Sequence, residues 1–190
     1  FDDAKSQMDD ASAKIESGQN AITSASDQMS AGVDTLKEQK AKLAEQKTQL
    51  ESTLASLNEQ KSQLETIQSA LLDCMNSDTY TKTIPSLKEG ANAPGEAGQT
   101  LKAQLEQVDK QIATQFSGLS ALGITVNTAD DLPAAASAIA QTLIQVNTGI
   151  EQCQSGLDQI AQGETALLDA YDNLNSQAAL SSISIGQQSA

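Results

Sequence analysis

The stretch that decides the fold is FDDAKSQMDDASAKIESGQNAITSASDQMSAGVDTLKEQKAKLAEQKTQLESTLASLNEQKSQLETIQSALLDCM, residues 1–75. Counting in sevens gives Phe1, Met8, Ile15, Ile22, Met29, Leu36, Leu43, Leu50, Leu57, Leu64 and Leu71, a large apolar side chain at each step. No Pro interrupts the stretch, and its glycines are Gly18 and Gly32. A sustained seven-residue apolar repeat marks a helix supercoiled against at least one partner. At about 1.5 Å per residue this helix would run roughly 110 Å. It cannot bury its own stripe, so another segment or another chain must cover it. An amphipathic helix in a bundle core shares most of these signs, and the length of the repeat favours the coiled coil.

Three residues after each large side chain stands the second seam position. It reads Ala4, Ala11, Gly18, Ala25 and Gly32, then Gln39, Gln46, Thr53 and Gln60, then Ile67 and Cys74. Small residues let two helix backbones approach closely, whereas Gln loosens a seam. The arm thus divides into a tight zone to about residue 33, a polar middle, and an apolar end over residues 64–75.

Outward from this arm, residues 76–79 (Asn-Ser-Asp-Thr) are types that bond their own backbone and stop helices. Residues 77–95 read as an irregular connection punctuated by Pro85, Gly90, Pro94 and Gly95, with room for a short helical turn from Pro85. A second helix starts near Pro94, carries Leu101, Leu105, Val108, Ile112 and Phe116 at helical spacing, and ends at Gly118. A β-prone run, Ile124-Thr125-Val126, precedes Thr128 to Asp131, which would cap a third helix opening at Pro133. That helix repeats Val146, Ile150, Cys153, Leu157, Ile160, Glu164, Leu167, Tyr171, Leu174 and Ala178 at alternating spacings of four and three. Beside them Gly149, Gly156, Gly163 and Ala170 stand seven apart. Glycine inside a helix costs about 1 kcal/mol relative to Ala, so three in register imply that large residues of the first arm fill the space they leave. After Leu180 the serines and Gly186 weaken the helix, and residues 179–190 read as an irregular or frayed tail.

The fold class these patterns imply is all-α: an elongated antiparallel coiled-coil helical hairpin with a small helical tip domain. Its parts are an outgoing arm (1–76), a tip with loops (77–134), a return arm (135–178) and the tail (179–190). If Cys74 and Cys153 oppose each other, paired residue numbers total 227. Leu71 then faces Gly156, Leu64 faces Gly163 and Leu57 faces Ala170. A disulfide between the two cysteines would close a long loop, worth up to about 4–5 kcal/mol, and would imply an oxidising compartment. Two buried free thiols acting as small apolar fillers are the other reading. The same register leaves residues 1–36 without a partner, so that stretch is expected to pair with a second copy of the chain.

Composition limits the chemistry. The net charge is −14 and there is no Arg, which argues against nucleic acid as a partner. All 11 Lys lie at or before Lys110, so an acidic return arm would face the Lys-bearing residues 37–61. With no His there is no imidazole base and no Ser-His or Cys-His pair. No phosphate loop, metal-ligand motif or dinucleotide fingerprint occurs, and Asp2-Asp3, Asp9-Asp10 and Asp130-Asp131 read as helix-start, solvated or capping carboxylates. The expectation is a protein that is not an enzyme, with no catalytic residues, no cofactor and no metal. No apolar run approaches the length of a membrane span. A chain that opens at Phe1, in mid-heptad and without an initiator Met, reads as a piece of a larger protein whose flanks hold the membrane segments.

The run GIEQCQSGLDQIAQGETALLDAYDNL (residues 149–174), with glycines one heptad apart, resembles the extracytoplasmic coiled coils of FtsX-like ABC transporter permeases of Gram-positive bacteria. SGQNAITSASDQMSAGVDTL (17–36) is similar to the outgoing arm of such inserts, and ALGITVNTADDLPAA (121–135) to their tip. A similar Gly-and-Gln heptad style occurs in the YhgE/Pip family of membrane proteins. The permease resemblance implies a hairpin on the extracytoplasmic face of the cell membrane, joined to its own transmembrane permease domain. A cytoplasmic ATPase subunit would drive it, and an extracellular protein partner would meet the tip. Tyr80, Ile84, Leu87, Leu119, Leu122 and Ile124, the apolar residues of the tip loops, are the candidate contacts with that partner. The YhgE/Pip resemblance implies instead a structural, adhesion or receptor coiled coil acting as a spacer. The Gln-rich middle of the first arm and the tail after Leu180 depart from the permease pattern.

Overall fold

The computed structural model describes residues 1–189, with side chains described through Leu180 and at Ile183. The chain is all-α. Helix α1 runs Asp2–Asn76 without a break, α2 Ile84–Ala91, α3 Glu96–Gln115 and α4 Leu132–Ser189. Asp2 and Asp3 stand in the first turn of α1, where the helix dipole favours negative charge. The Asn76-Ser77-Asp78 stop signal does end α1. The chain then re-enters helix at once, because Ser77 serves both ends: its hydroxyl donates to the Cys74 carbonyl and accepts the Tyr80 N–H. A π-helical turn, Thr79–Thr83, leads straight into α2. Residues 77–95 are therefore mostly helical, contrary to the irregular connection that Pro85 and Gly90 imply. Pro85 falls in the first turn of α2, the part of a helix that tolerates Pro best.

The turn into α3 depends on two glycines. Gly95 sits at φ 82°, ψ −160°, a conformation open essentially to Gly alone. A Cβ on Gly98 would lie 1.8 Å from the Ala93 carbonyl oxygen. α3 starts at Glu96, two residues beyond the expected Pro94, since the chain must first complete this turn.

After α3 a 3₁₀ turn, Ser117–Leu122, ends on Gly123 at φ 76°. The Ile124 N–H donates to the Leu119 carbonyl and the Gly123 N–H to the Ser120 carbonyl, the paired bonds of a Schellman ending. Ile124-Thr125-Val126, β-prone in sequence, forms no strand, and among the described residues there is no other strand for it to pair with; Val126 instead drops into the core. The Asp131 carboxylate accepts the N–H groups of Asn127 (2.8 Å) and Thr128 (3.1 Å), capping the 3₁₀ turn Ala129–Asp131 that opens α4. α4 stays helical through Ser189, so the irregular tail expected from residue 179 is helix as far as the backbone is described.

Contacts divide the chain into two compact units, Phe1–Ser52 with Cys153–Ala190, and Thr53–Gln152. The second unit holds a continuous core in which Leu71, Leu132 and Ile139 are the most deeply buried side chains, joined by Leu64, Ile84, Ile112, Phe116 and Leu143. This unit is larger than the 77–134 tip expected from the breaks in the heptad pattern. It takes in the last part of α1 and the first part of α4, because the apolar faces of α2 and α3 are buried against them. Gly90 of α2 lets Leu101 of α3 approach to 2.4 Å from where a Cβ would stand.

In the first unit α1 and α4 are antiparallel. The space a Cβ would take on Gly32 is filled by Leu174, on Gly163 by Leu43 and on Gly156 by Leu50, at 3.1, 3.3 and 2.9 Å. In the second unit Leu57 fills the same space at Gly149, at 3.1 Å. Each pair totals 206. The expected packing rule, large on small, therefore holds. The expected register, 227, does not: it is displaced by three heptads. Leu57 meets Gly149 rather than Ala170, and Leu50, not Leu71, meets Gly156.

Candidate functional site

The register settles the state of the cysteines. A Cys74–Cys153 bond requires residue 78 opposite Gly149, where the structure has Leu57. Both thiols are free, so the expected disulfide is corrected to the filler reading. Cys153 is buried, and Cys74 packs half-buried against the core of the second unit. Desolvation pushes the Cys74 thiol above its ordinary range.

The six candidate contact residues of the tip fare unequally. Ile84 and Leu119 are core residues, each 3% exposed. Tyr80 and Ile124 are half-buried against the same core, and Leu87 is half-buried. Leu122, 49% exposed, is the one of the six whose side chain is largely open to solvent. The reason lies in composition: a core whose aromatic members are Phe116 and the half-buried Tyr80 must draw on aliphatic side chains of the loops as well. An apolar residue in a loop of such a chain is recruited to packing before it is available to a partner. Leu72 and Ile144, both in long helices, are exposed in this unit and carried no signal beyond falling off the seam.

Polar contacts hold the turns of this unit. Asp109 of α3 accepts the Ala129 N–H at 2.9 Å, tying α3 to the turn before α4. Lys88 of α2 pairs with Asp130. The bond to the Asp130 carboxylate holds the Lys88 ammonium above its ordinary range, and two hydrogen bonds, from Asn127 and then Thr128, hold the Asp131 carboxyl below its own. The Asp130-Asp131 pair is thus structural: one residue binds Lys88, the other caps. In the first unit Lys47 of α1 reaches Glu164 of α4 at 3.9 Å, the contact expected between the Lys-bearing and acidic arms. It is solvent-exposed on both sides and worth little.

Among the described residues no group of three or more His, Cys, Asp or Glu side chains is placed to hold a metal ion. No helix among them is long and apolar enough to cross a membrane.

The other apolar surface lies at the start of α1. Phe1, Met8, Ile15 and Ile22 are exposed, whereas Met29, Val33 and Leu36 are half-covered and Gly32 meets Leu174. The uncovered seam is consequently shorter than the expected residues 1–36, because the 206 register carries α4 further along α1 than 227 would. Together these features define an all-α protein of paired antiparallel heptad helices with a helical core unit. Comparison with models of protein families, with curated proteins and with solved structures gives no match.

Proposed function

We propose that this chain is the extracytoplasmic coiled-coil stalk of an FtsX-like ABC transporter permease, coupling ATP hydrolysis by a cytoplasmic partner to an extracellular protein or substrate. The observation that supports the reading most directly is the heptad-spaced packing of Leu43, Leu50 and Leu57 on Gly163, Gly156 and Gly149. This is close antiparallel helix pairing of the kind a helical hairpin needs, formed by the very glycines that carry the resemblance to permease inserts. Leu–Gly contacts this close leave little freedom for the helices to slide past one another, which suits an element that passes on displacement. The surface near Leu122 is the contact for the extracellular partner, and nothing in this reading asks for a catalytic residue.

The test is the parent reading frame. Membrane-spanning segments on both sides of this sequence, with an adjacent ATPase gene, are the expected result. A singly anchored or soluble parent overturns the transporter and leaves the spacer role of a YhgE/Pip-like protein. At the residue level, Leu122→Asp should abolish partner-dependent activity while leaving the melting temperature unchanged; full activity in that variant would remove the tip surface from the proposal.

A further inference from the structure

The two arms of the first unit contribute unequally to their pairing. At the 206 register residues 36–52 of α1 face residues 170–154 of α4. On α1 every residue of that stretch except Thr48 and Ser52 is Leu, Lys, Glu, Gln or Ala, side chains that favour helix most. Glu38 stands four residues before Lys42, the order that supports a helix. The facing stretch of α4 holds Gly156 and Gly163, with Ser155, Asp158 and Thr165 beside them. Glycine exposes backbone and carries the largest entropy cost, Ser and Asp compete for backbone hydrogen bonds, and Thr loses side-chain freedom in a helix. That stretch carries no Lys, so it has no charge pair of its own to offset these costs.

Packing runs the same way. Cys153 and Ile160 of α4 are buried at 6% exposure, whereas Leu36, Leu43 and Leu50 of α1 are only half-covered. The spaces at Gly163 and Gly156 are filled from α1, by Leu43 and Leu50. Without α1, α4 would lose its apolar cover and the groups that fill its glycine spaces; without α4, α1 would keep the side chains that make it helical. The one cross-arm ion pair recorded here, Lys47 with Glu164 at 3.9 Å, is exposed and restrains the arms little. Nor does α1 need a helix nucleus in this region, because it runs unbroken to Asn76 and is anchored by Leu64 and Leu71 in the core of the second unit. α4 is anchored in the same core as far as Ile150, but helix propagated beyond it meets Ser155 and Gly156 at once.

From this asymmetry we infer that the first unit is a one-sided clasp in which α4 is the arm that opens. Residues 154–170 leave α1 and give up helix, while residues 36–52 of α1 stay helical and bare the stripe Leu36, Leu43 and Leu50. The opened form is a minor state, reached without unfolding Thr53–Gln152. It is a separation of the arms, distinct from the sliding that the Leu–Gly contacts oppose, and the inference does not rest on the transporter reading.

Hydrogen exchange of the full chain, read by mass spectrometry and normalised to unfolded-chain rates, tests it with two substitutions at exposed alanines, Ala161→Gly and Ala41→Gly. In the parent chain, residues 154–170 should exchange at least about tenfold faster than residues 60–71. Because α4 is helix when closed and coil when open, Ala161→Gly should speed exchange over 154–170 about fivefold. Because α1 is helix in both states, Ala41→Gly should leave exchange over 154–170 within about twofold of the parent. Unchanged circular dichroism in both variants shows that the closed fold is retained. Equal acceleration of 154–170 by the two substitutions would mean that the arms melt together and would overturn the proposal. So would indifference to Ala161→Gly, or protection of 154–170 as high as that of 60–71.

Discussion

The two compact units use the same pair of long helices in different ways. In Thr53–Gln152, α1 contributes Leu64, Ile67, Leu71 and Cys74, so both heptad positions face apolar neighbours, and Leu71 reaches zero exposure. In Phe1–Ser52 with Cys153–Ala190, the second position of α1 is occupied by Gln39 and Gln46, which stay exposed, and Leu36, Leu43 and Leu50 are only half-covered. There Cys153 and Ile160 are the buried apolar side chains among the described residues. Two helices alone can cover one narrow stripe, whereas α2 and α3 add walls that close the second position. Stability should therefore be concentrated in Thr53–Gln152, and several variants can break or sharpen that contrast.

The largest effect is expected from Leu71→Ala, about 3–5 kcal/mol by denaturant unfolding, because a fully enclosed side chain leaves a cavity. Leu43→Ala, at a half-covered seam position, should cost about 1 kcal/mol. Equal costs would show that the two units are equally well packed and would dissolve the comparison. Gly98→Ala comes next, at about 2–4 kcal/mol: its Cβ would lie 1.8 Å from the backbone oxygen of Ala93, and backbone cannot step aside as a side chain can. A melting temperature within a degree of the parent's would mean that the turn before α3 is far more pliant than its geometry implies.

Smaller and graded effects should come from the seam glycines. Alanine gains about 1 kcal/mol of helix propensity at each, set against crowding of a leucine methyl that is 2.9 Å away at Gly156, 3.1 Å at Gly149 and 3.3 Å at Gly163. Thermal melts should rank Gly163→Ala the most favourable of the three and Gly156→Ala the least. The reverse order would refute the 206 register. The smallest effect is electrostatic. Asp131 titrates below its ordinary range in the folded chain, so its contribution is fully present above about pH 4 and fades as pH falls through the folded value. Parent and Asp131→Asn should differ in melting temperature at pH 7 and converge in acid; a gap that stays constant with pH would remove the cap from the account.

Much of the fold was legible in the sequence because helices are written locally. The seven-residue repeat, the stop at Asn76, the apolar face of α3 and the cap at Thr128 to Asp131 depend on neighbours within a few residues of one another. What misled the reading was equally local. Pro85 and Gly90 look like loop punctuation, yet one sits in a helix's first turn and the other admits Leu101. The apolar end of the first arm, with Ile67 and Cys74 replacing the Gln of the middle, was the sign that more than one helix would pack there. It marks the beginning of the core unit, and the candidate contacts Ile84 and Leu119 were lost to that same core.

The sequence by itself determined that the chain is all-α, that its long helices pair large residues on small ones, and that the glycines of α4 receive leucines. It could not choose among registers that differ by whole heptads, because both arms repeat with the same period and every such shift restores large on small. The choice of 206 over 227 belongs to the tertiary structure. Leu71, Leu132 and Ile139 are enclosed together by α2, α3 and their turns. Moving one arm by three heptads would keep the seam contacts in kind but tear that core apart, so the register is decided where the packing is densest and least forgiving.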